Sequence, residues 1–82
     1  MRCAGIVYTE HAAKRALQRG ITDDDIRGVI EQGTVIEVAE DTPGPVYVME
    51  GQVSGRRLRV VFRRDDADIC YIITAFLRRG GQ

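Results

Sequence analysis

From residue 9 to residue 33 the apolar positions recur in steps of three and four, and beyond residue 34 they begin to alternate. The chain therefore reads as a helical first part and a strand-forming second part. Thr9 is suited to cap a helix over 10–19, with Glu10 in its positive first turn and Gly20 ending it in a left-handed conformation. Ala12, Ala13, Ala16 and Leu17 make a narrow apolar face, while His11, Arg15 and Arg19 rise beside it at four-residue steps as one cationic ridge. A second helix over 23–32 follows a very short joint at which Ile21 can staple. It opens on Thr22, followed by Asp23, Asp24 and Asp25, and Thr22 with Asp25 has the spacing of a capping box with a shortened acid. Ile26, Val29 and Ile30 form its buried face, and Gly33 ends it.

The alternating part predicts strands over 35–39, 46–53, 56–63 and 69–77. In the first, Ile36 and Val38 share one side and Glu37 takes the other. A Pro-Gly-Pro loop over 40–45 and the Ser54-Gly55 turn separate the next two. The third places Leu58, Val60 and Phe62 on one face and Arg57, Arg59, Val61 and Arg63 on the other. The fourth is apolar on both faces, as a central strand would be, so its inward face stays open. Residues 1–8 form a lead-in in which Ile6-Val7-Tyr8 either packs beside the first helix or adds a short strand, and residues 78–82 form a frayed tail. Hairpin-length connections imply an antiparallel meander. The expected fold is α+β: two N-terminal helices packed on one face of a four-stranded antiparallel sheet, in one domain over 1–82. The uncovered face would show Tyr47, Met49, Arg57, Arg59, Val61 and Tyr71, a mixture that calls for a covering partner.

Charge changes this picture more than composition does. The total of 12 basic and 12 acidic side chains cancels, which argues against strong indiscriminate binding of nucleic acid. Yet residues 1–19 carry four basic and one acidic side chain, residues 20–52 one and eight, and residues 53–82 seven and three. Two basic segments thus flank an acidic middle. Cys3 and Cys70 stand far apart and in no metal-ligand spacing, so two reduced thiols are expected, with Cys70 a small packed side chain. No apolar run approaches the roughly 20 residues needed to cross a membrane, and no signal-peptide core opens the chain. A cytoplasmic protein without membrane contact is the expectation.

From residue 8 to 76 the chain resembles the bacterial family of domains of unknown function numbered 4258. His11-Ala12, Arg15 and Arg19-Gly20-Ile21 carry the likeness in the first helix, and Asp25-Ile26, Val29-Ile30 and Gly33 in the second. Gly51, Gly55-Arg56, Leu58, Val60-Val61 and Ile72-Ile73-Thr74-Ala75-Phe76 carry it in the sheet. That family is similar in layout to a group of small toxins and nucleases: RelE-type messenger-RNA interferases, BrnT-type toxins and colicin-like nucleases. The resemblance implies a RelE-like fold and a toxin-like ribonuclease that needs no metal or other cofactor, with an antitoxin as partner.

Such cleavage needs a base for the 2′-hydroxyl, cations for the phosphorane and an acid for the leaving oxygen. His11 is the only side chain whose ordinary pKa lies near neutrality, and a helix start disfavours its protonated form, as a base requires. Arg15 and Arg19 are placed to grip phosphate by forked hydrogen bonds, and Thr74 to orient His11 or touch substrate. Arg57, Arg59 and Arg63, with Tyr47 as a stacking surface, are the candidate residues for RNA or partner binding. Each has a plainer use: a packing histidine, surface ion pairs, a β-forming threonine. The alternative reading is a non-catalytic interaction module, or a homodimer joined through Tyr47, Met49 and Val61.

Overall fold

The computed structural model describes residues 1–42 and 44–78. Pro43 of the predicted loop and residues 79–82 of the predicted tail lie outside the described residues. In chain order the elements are β1 (Gly5–Tyr8), α1 (Glu10–Arg19), α2 (Asp23–Gln32), β2 (Thr34–Ala39), β3 (Val46–Val53), β4 (Arg56–Arg64) and β5 (Ile69–Arg78).

Local chemistry sets the helix ends. The hydroxyl of Thr9 accepts the amide of Ala12 at 3.0 Å, and Gly20 closes α1 at φ 68°. Thr22 and Asp25 form a reciprocal capping box at 3.1 Å in both directions. Gly33 ends α2 in extended backbone, φ −80°, so its glycine is explained by space and not by handedness. A β-carbon there would lie 2.5 Å from the carbonyl oxygen of Val29 and 2.6 Å from that of Glu50. The turn from α2 into β2 thus crosses β3 at a distance no side chain permits.

The sheet has five strands in the order β1-β5-β4-β3-β2, and it is mixed. The four-stranded antiparallel expectation is corrected here. β1 pairs in parallel with β5, from Gly5 opposite Ile69 to Tyr8 opposite Ile72, while the other pairings are antiparallel. Of the two readings of Ile6-Val7-Tyr8 the short strand holds, but a four-residue strand is too short to show a period and its partner is the last strand of the chain, so no local pattern announces the pairing.

Both helices pack on one face. Ala12, Ala16, Ile21, Ile26, Val29 and Ile30 meet Met49, Leu58, Val60, Phe62, Cys70, Ile72 and Ala75 in one buried cluster. In β5 a register shift pairs Val61 with Thr74 and Phe62 with Ile72, leaving Ile73 unpaired. This bulge lets both Ile72 and Ala75 point inward. A second shift around Ile36 puts Val35 opposite Met49 and Val38 opposite Tyr47, so these two valines share the helix-side face. The simple alternation expected for β2 does not hold.

Three further expectations are corrected. Met49 is 1% exposed and Tyr47 stacks on buried Phe62 with ring centroids 5.6 Å apart, so both belong to the helix side and not to the open face. Ala13 and Leu17 are exposed, because α1 lies along the margin of the sheet and buries only Ala12 and Ala16. Cys3 and Cys70 form a disulfide across a separation of 67 residues. Parallel pairing of β1 with β5 carries the N-terminal segment to Cys70, which spacing in the sequence could not show.

Among the described residues no helix is long and apolar enough to cross a membrane.

Candidate nucleic-acid interface

The His11, Arg15 and Arg19 ridge runs along α1, which packs against β5. Thr9 donates its backbone amide and its hydroxyl to the carbonyl of Ile72, at 3.4 and 3.3 Å. Arg19 donates through Nη1 to the carbonyl of Ala75 at 2.7 Å. β1 pairs with β5 only as far as Ile72, so beyond it Arg19 of α1 serves the edge of β5 that has no strand neighbour on the β1 side. A charge-assisted bond of this kind ties Arg19 to the scaffold. His11 and Arg15 are exposed. Thr74 stands opposite Val61, on the sheet face turned away from the helices. Among the described residues no hydrogen bond joins any two of His11, Arg15, Arg19 and Thr74.

That outward face gathers a different group. Cross-strand register aligns Gln52, Arg57 and Arg78 in one row, and Glu50, Arg59 and Phe76 in the next. Val48, Val61 and Thr74 follow, then Val46, Arg63 and Tyr71. Arg59 donates to Glu50 at 2.8 Å, and Arg57 lies 3.9 Å from the same carboxylate. The bond from Arg59, helped by the nearby charges of Arg57 and Arg78, holds the Glu50 carboxyl below its ordinary pKa. Arg57 and Arg59 at one carboxylate, with Arg78 opposite Arg57, leave an excess of positive charge beside the half-buried ring of Phe76. The row of Val48, Val61 and Thr74 separates this patch from the far end.

At the far end, the loop before β3 and the turn after β4 bound a cleft of about 600 Å³, whose lining includes Pro45, Arg63, Asp66 and Tyr71. Arg63 is fixed by Asp41 at 2.8 Å and by the carbonyl of Gly44 at 3.3 Å. The hydroxyl of Tyr71 donates to Asp65 at 2.9 Å, which pushes the tyrosine pKa up. Asp65 also accepts the amides of Ala67 and Ile69, and the bond from Ile69 does most to hold its own pKa down. Tyr71 and Arg63 are thus pre-positioned, but carboxylates balance the cations, so the cleft has no charge preference. Among the described residues no three metal-ligating side chains gather as a site.

Of the side chains expected to bind RNA or a partner, Arg57, Arg59 and Arg63 share the open face and Tyr47 lies behind it. The pattern overlooked Glu50 as the centre of the arginines, and Phe76 and Arg78 as their neighbours. Only the registers of β3 on β4 and of β4 on β5 put these residues together, although Arg57 and Arg59 at alternate positions already mark the face.

The family described as "Domain of unknown function (DUF4258)" matches residues 8–77. The chain belongs to the DUF4258 family. The match runs from the last residue of β1 to Leu77 of β5, so it takes in α1 with its ridge and the open face except Arg78. Comparison of this DUF4258 protein with curated proteins and with solved structures finds no significant match.

Proposed function

We propose that this DUF4258 protein binds single-stranded RNA through the open face of its sheet. The observation that carries the reading is the placement of Arg57 and Arg59 at Glu50, with Arg78 opposite Arg57 and Phe76 opposite Arg59, on a face no helix covers. One carboxylate satisfies only part of the Arg57 and Arg59 forks, which leaves N–H groups for phosphate. Phe76 and Tyr71 offer ring faces for unpaired bases, each at the level of an arginine on β4. Asp23, Asp24, Asp25 and Glu31 lie on α2, on the opposite side of the sheet, so the zero total charge does not describe this face.

Cleavage, as in the RelE-type group, would add a base to this binding. His11 is exposed and available, but Arg19 is engaged by Ala75 and Thr74 opens on the other side of the sheet. Binding without cleavage is therefore the better supported reading.

The test is fluorescence anisotropy of a labelled mixed-sequence single-stranded RNA, titrated with the protein at several salt concentrations. Binding that weakens steeply with salt, and is lost in Arg57→Ala/Arg59→Ala, supports the proposal. Absence of salt-dependent binding by the folded wild type overturns it.

A further inference from the structure

β2 is an edge strand, hydrogen-bonded to β3 on one side only. All six of its residues are exposed, and Val35, Ile36 and Val38 show 40%, 41% and 51% of their surface. Soluble proteins blunt such edges with lysine, proline, bulges or short length. β2 has one bulge and neither lysine nor proline. The bulge has a second effect: it turns Val35 and Val38 to the same side, where they extend the apolar layer of Met49 and Tyr47 beyond the helices. A strand laid against β2 would gain main-chain hydrogen bonds and cover both valines.

The surrounding charge says what kind of strand fits. Residues 28–55 contain Glu31, Glu37, Glu40, Asp41 and Glu50 and no lysine or arginine. Arg63 pairs with Asp41, and Arg59 with Glu50. Glu31, Glu37 and Glu40 form no ion pair among the described residues. Glu37 sits mid-strand, opposite Val48, on the open side of the sheet. A second copy of β2 would bring two such acidic strands together, and like charges across a strand pair are destabilising.

We propose that β2 is a docking edge for an extended segment of a partner protein in which aliphatic residues alternate with arginine or lysine. The aliphatic side chains cover Val35 and Val38, and a basic side chain on the other face pairs with Glu37. Glu37 is on the same side of the sheet as the arginines, but Val35, Val38 and the strand edge are not, and docking there does not depend on RNA binding.

The probe is a blocked hexapeptide alternating valine with lysine and arginine, titrated into the ¹⁵N-labelled full chain; the control has glutamate at every basic position. The expected result is chemical-shift change and slowed amide exchange centred on residues 34–39 with the basic peptide alone. Glu37→Lys, at an exposed site with no ion pair, should weaken binding by about tenfold, the scale of exchanging an attractive cross-strand pair for a repulsive one. Three results would overturn the proposal: equal binding of the acidic control, binding that leaves residues 34–39 unmoved, or no binding at millimolar peptide. A dimer seen by sedimentation and mapped to residues 34–39 would overturn it too, in favour of a second copy.

Discussion

Arg56 and Asp25 lie on different layers of the molecule and meet at 3.0 Å, the guanidinium of β4 against a carboxylate in the first turn of α2. The same arginine donates to the carbonyl of Gly20, at the end of α1, at 3.2 Å. Asp25 is buried, accepts the amide of Thr22 at 3.1 Å, and accepts the hydroxyl of Ser54 at 3.5 Å. This one carboxylate thus ties the joint between the helices to the turn between β3 and β4.

The Asp25 pair predicts a pH dependence. The amide of Thr22, foremost, and then the Thr22 side chain, Arg56 and Ser54 hold the Asp25 carboxyl below its ordinary value. A carboxyl depressed in the folded state stabilises above its unfolded pKa, about 3.9, and that contribution is lost as pH falls through the folded value. Denaturant unfolding of the wild type should therefore weaken below about pH 4. Asp25→Asn should be less stable near pH 7 by about 1–3 kcal/mol and show a flatter acid limb. An unchanged acid limb in the variant would remove Asp25 from this role.

RNA binding separates the face from the ridge. Arg57→Ala and Arg59→Ala should each lower affinity and reduce the salt slope by about 1. His11→Ala and Arg15→Ala should leave both within about twofold, if phosphate contacts lie on the sheet. The same preparations incubated with RNA in EDTA test cleavage. Cleavage by the wild type that is lost in His11→Ala would restore His11 as a general base and make the ridge catalytic.

Gly33→Ala should destabilise the fold by about 1–3 kcal/mol, the usual cost of overpacking. The obstructing atoms are backbone carbonyl oxygens of Val29 and Glu50, which cannot swing aside as a side chain would. Thermal denaturation at fixed pH checks it; a loss well under 0.5 kcal/mol would show that the α2–β2 turn relaxes freely.

Cys3→Ser should lower stability by as much as about 4 kcal/mol in the loop-entropy account, given a 67-residue separation. Reductant should lower the wild-type Tm towards that of the variant and leave the variant unmoved. Ready alkylation of both cysteines in the native protein without reductant would contradict the pairing.

The helix caps and the arginine strand were legible in the sequence because each depends on neighbours two to four residues away. Thr9 with Ala12, Thr22 with Asp25, and the alternation from Arg57 to Arg63 all show in the structure. Ile36 was misread as a regular neighbour of Val38 because a bulge breaks the period of two, and Tyr47 and Met49 were misread because their strand offers apolar residues to both sides. In the candidate site, Arg57, Arg59 and Arg63 were visible as a face. Their grouping with Glu50, Phe76 and Arg78 was not.

By itself, then, the sequence determined where two helices begin and end and which side of β4 faces inward, since hydrogen-bonding caps and side-chain alternation act over a single turn or pleat. Tertiary structure decided the rest: β1 beside β5, Cys3 on Cys70, the bulge at Ile73 that turns Ala75 inward, and the use of Arg19 on the Ala75 carbonyl. Those partners are joined by register and packing across most of the chain, and no short-range pattern encodes which of two apolar faces is buried or which distant strand will pair.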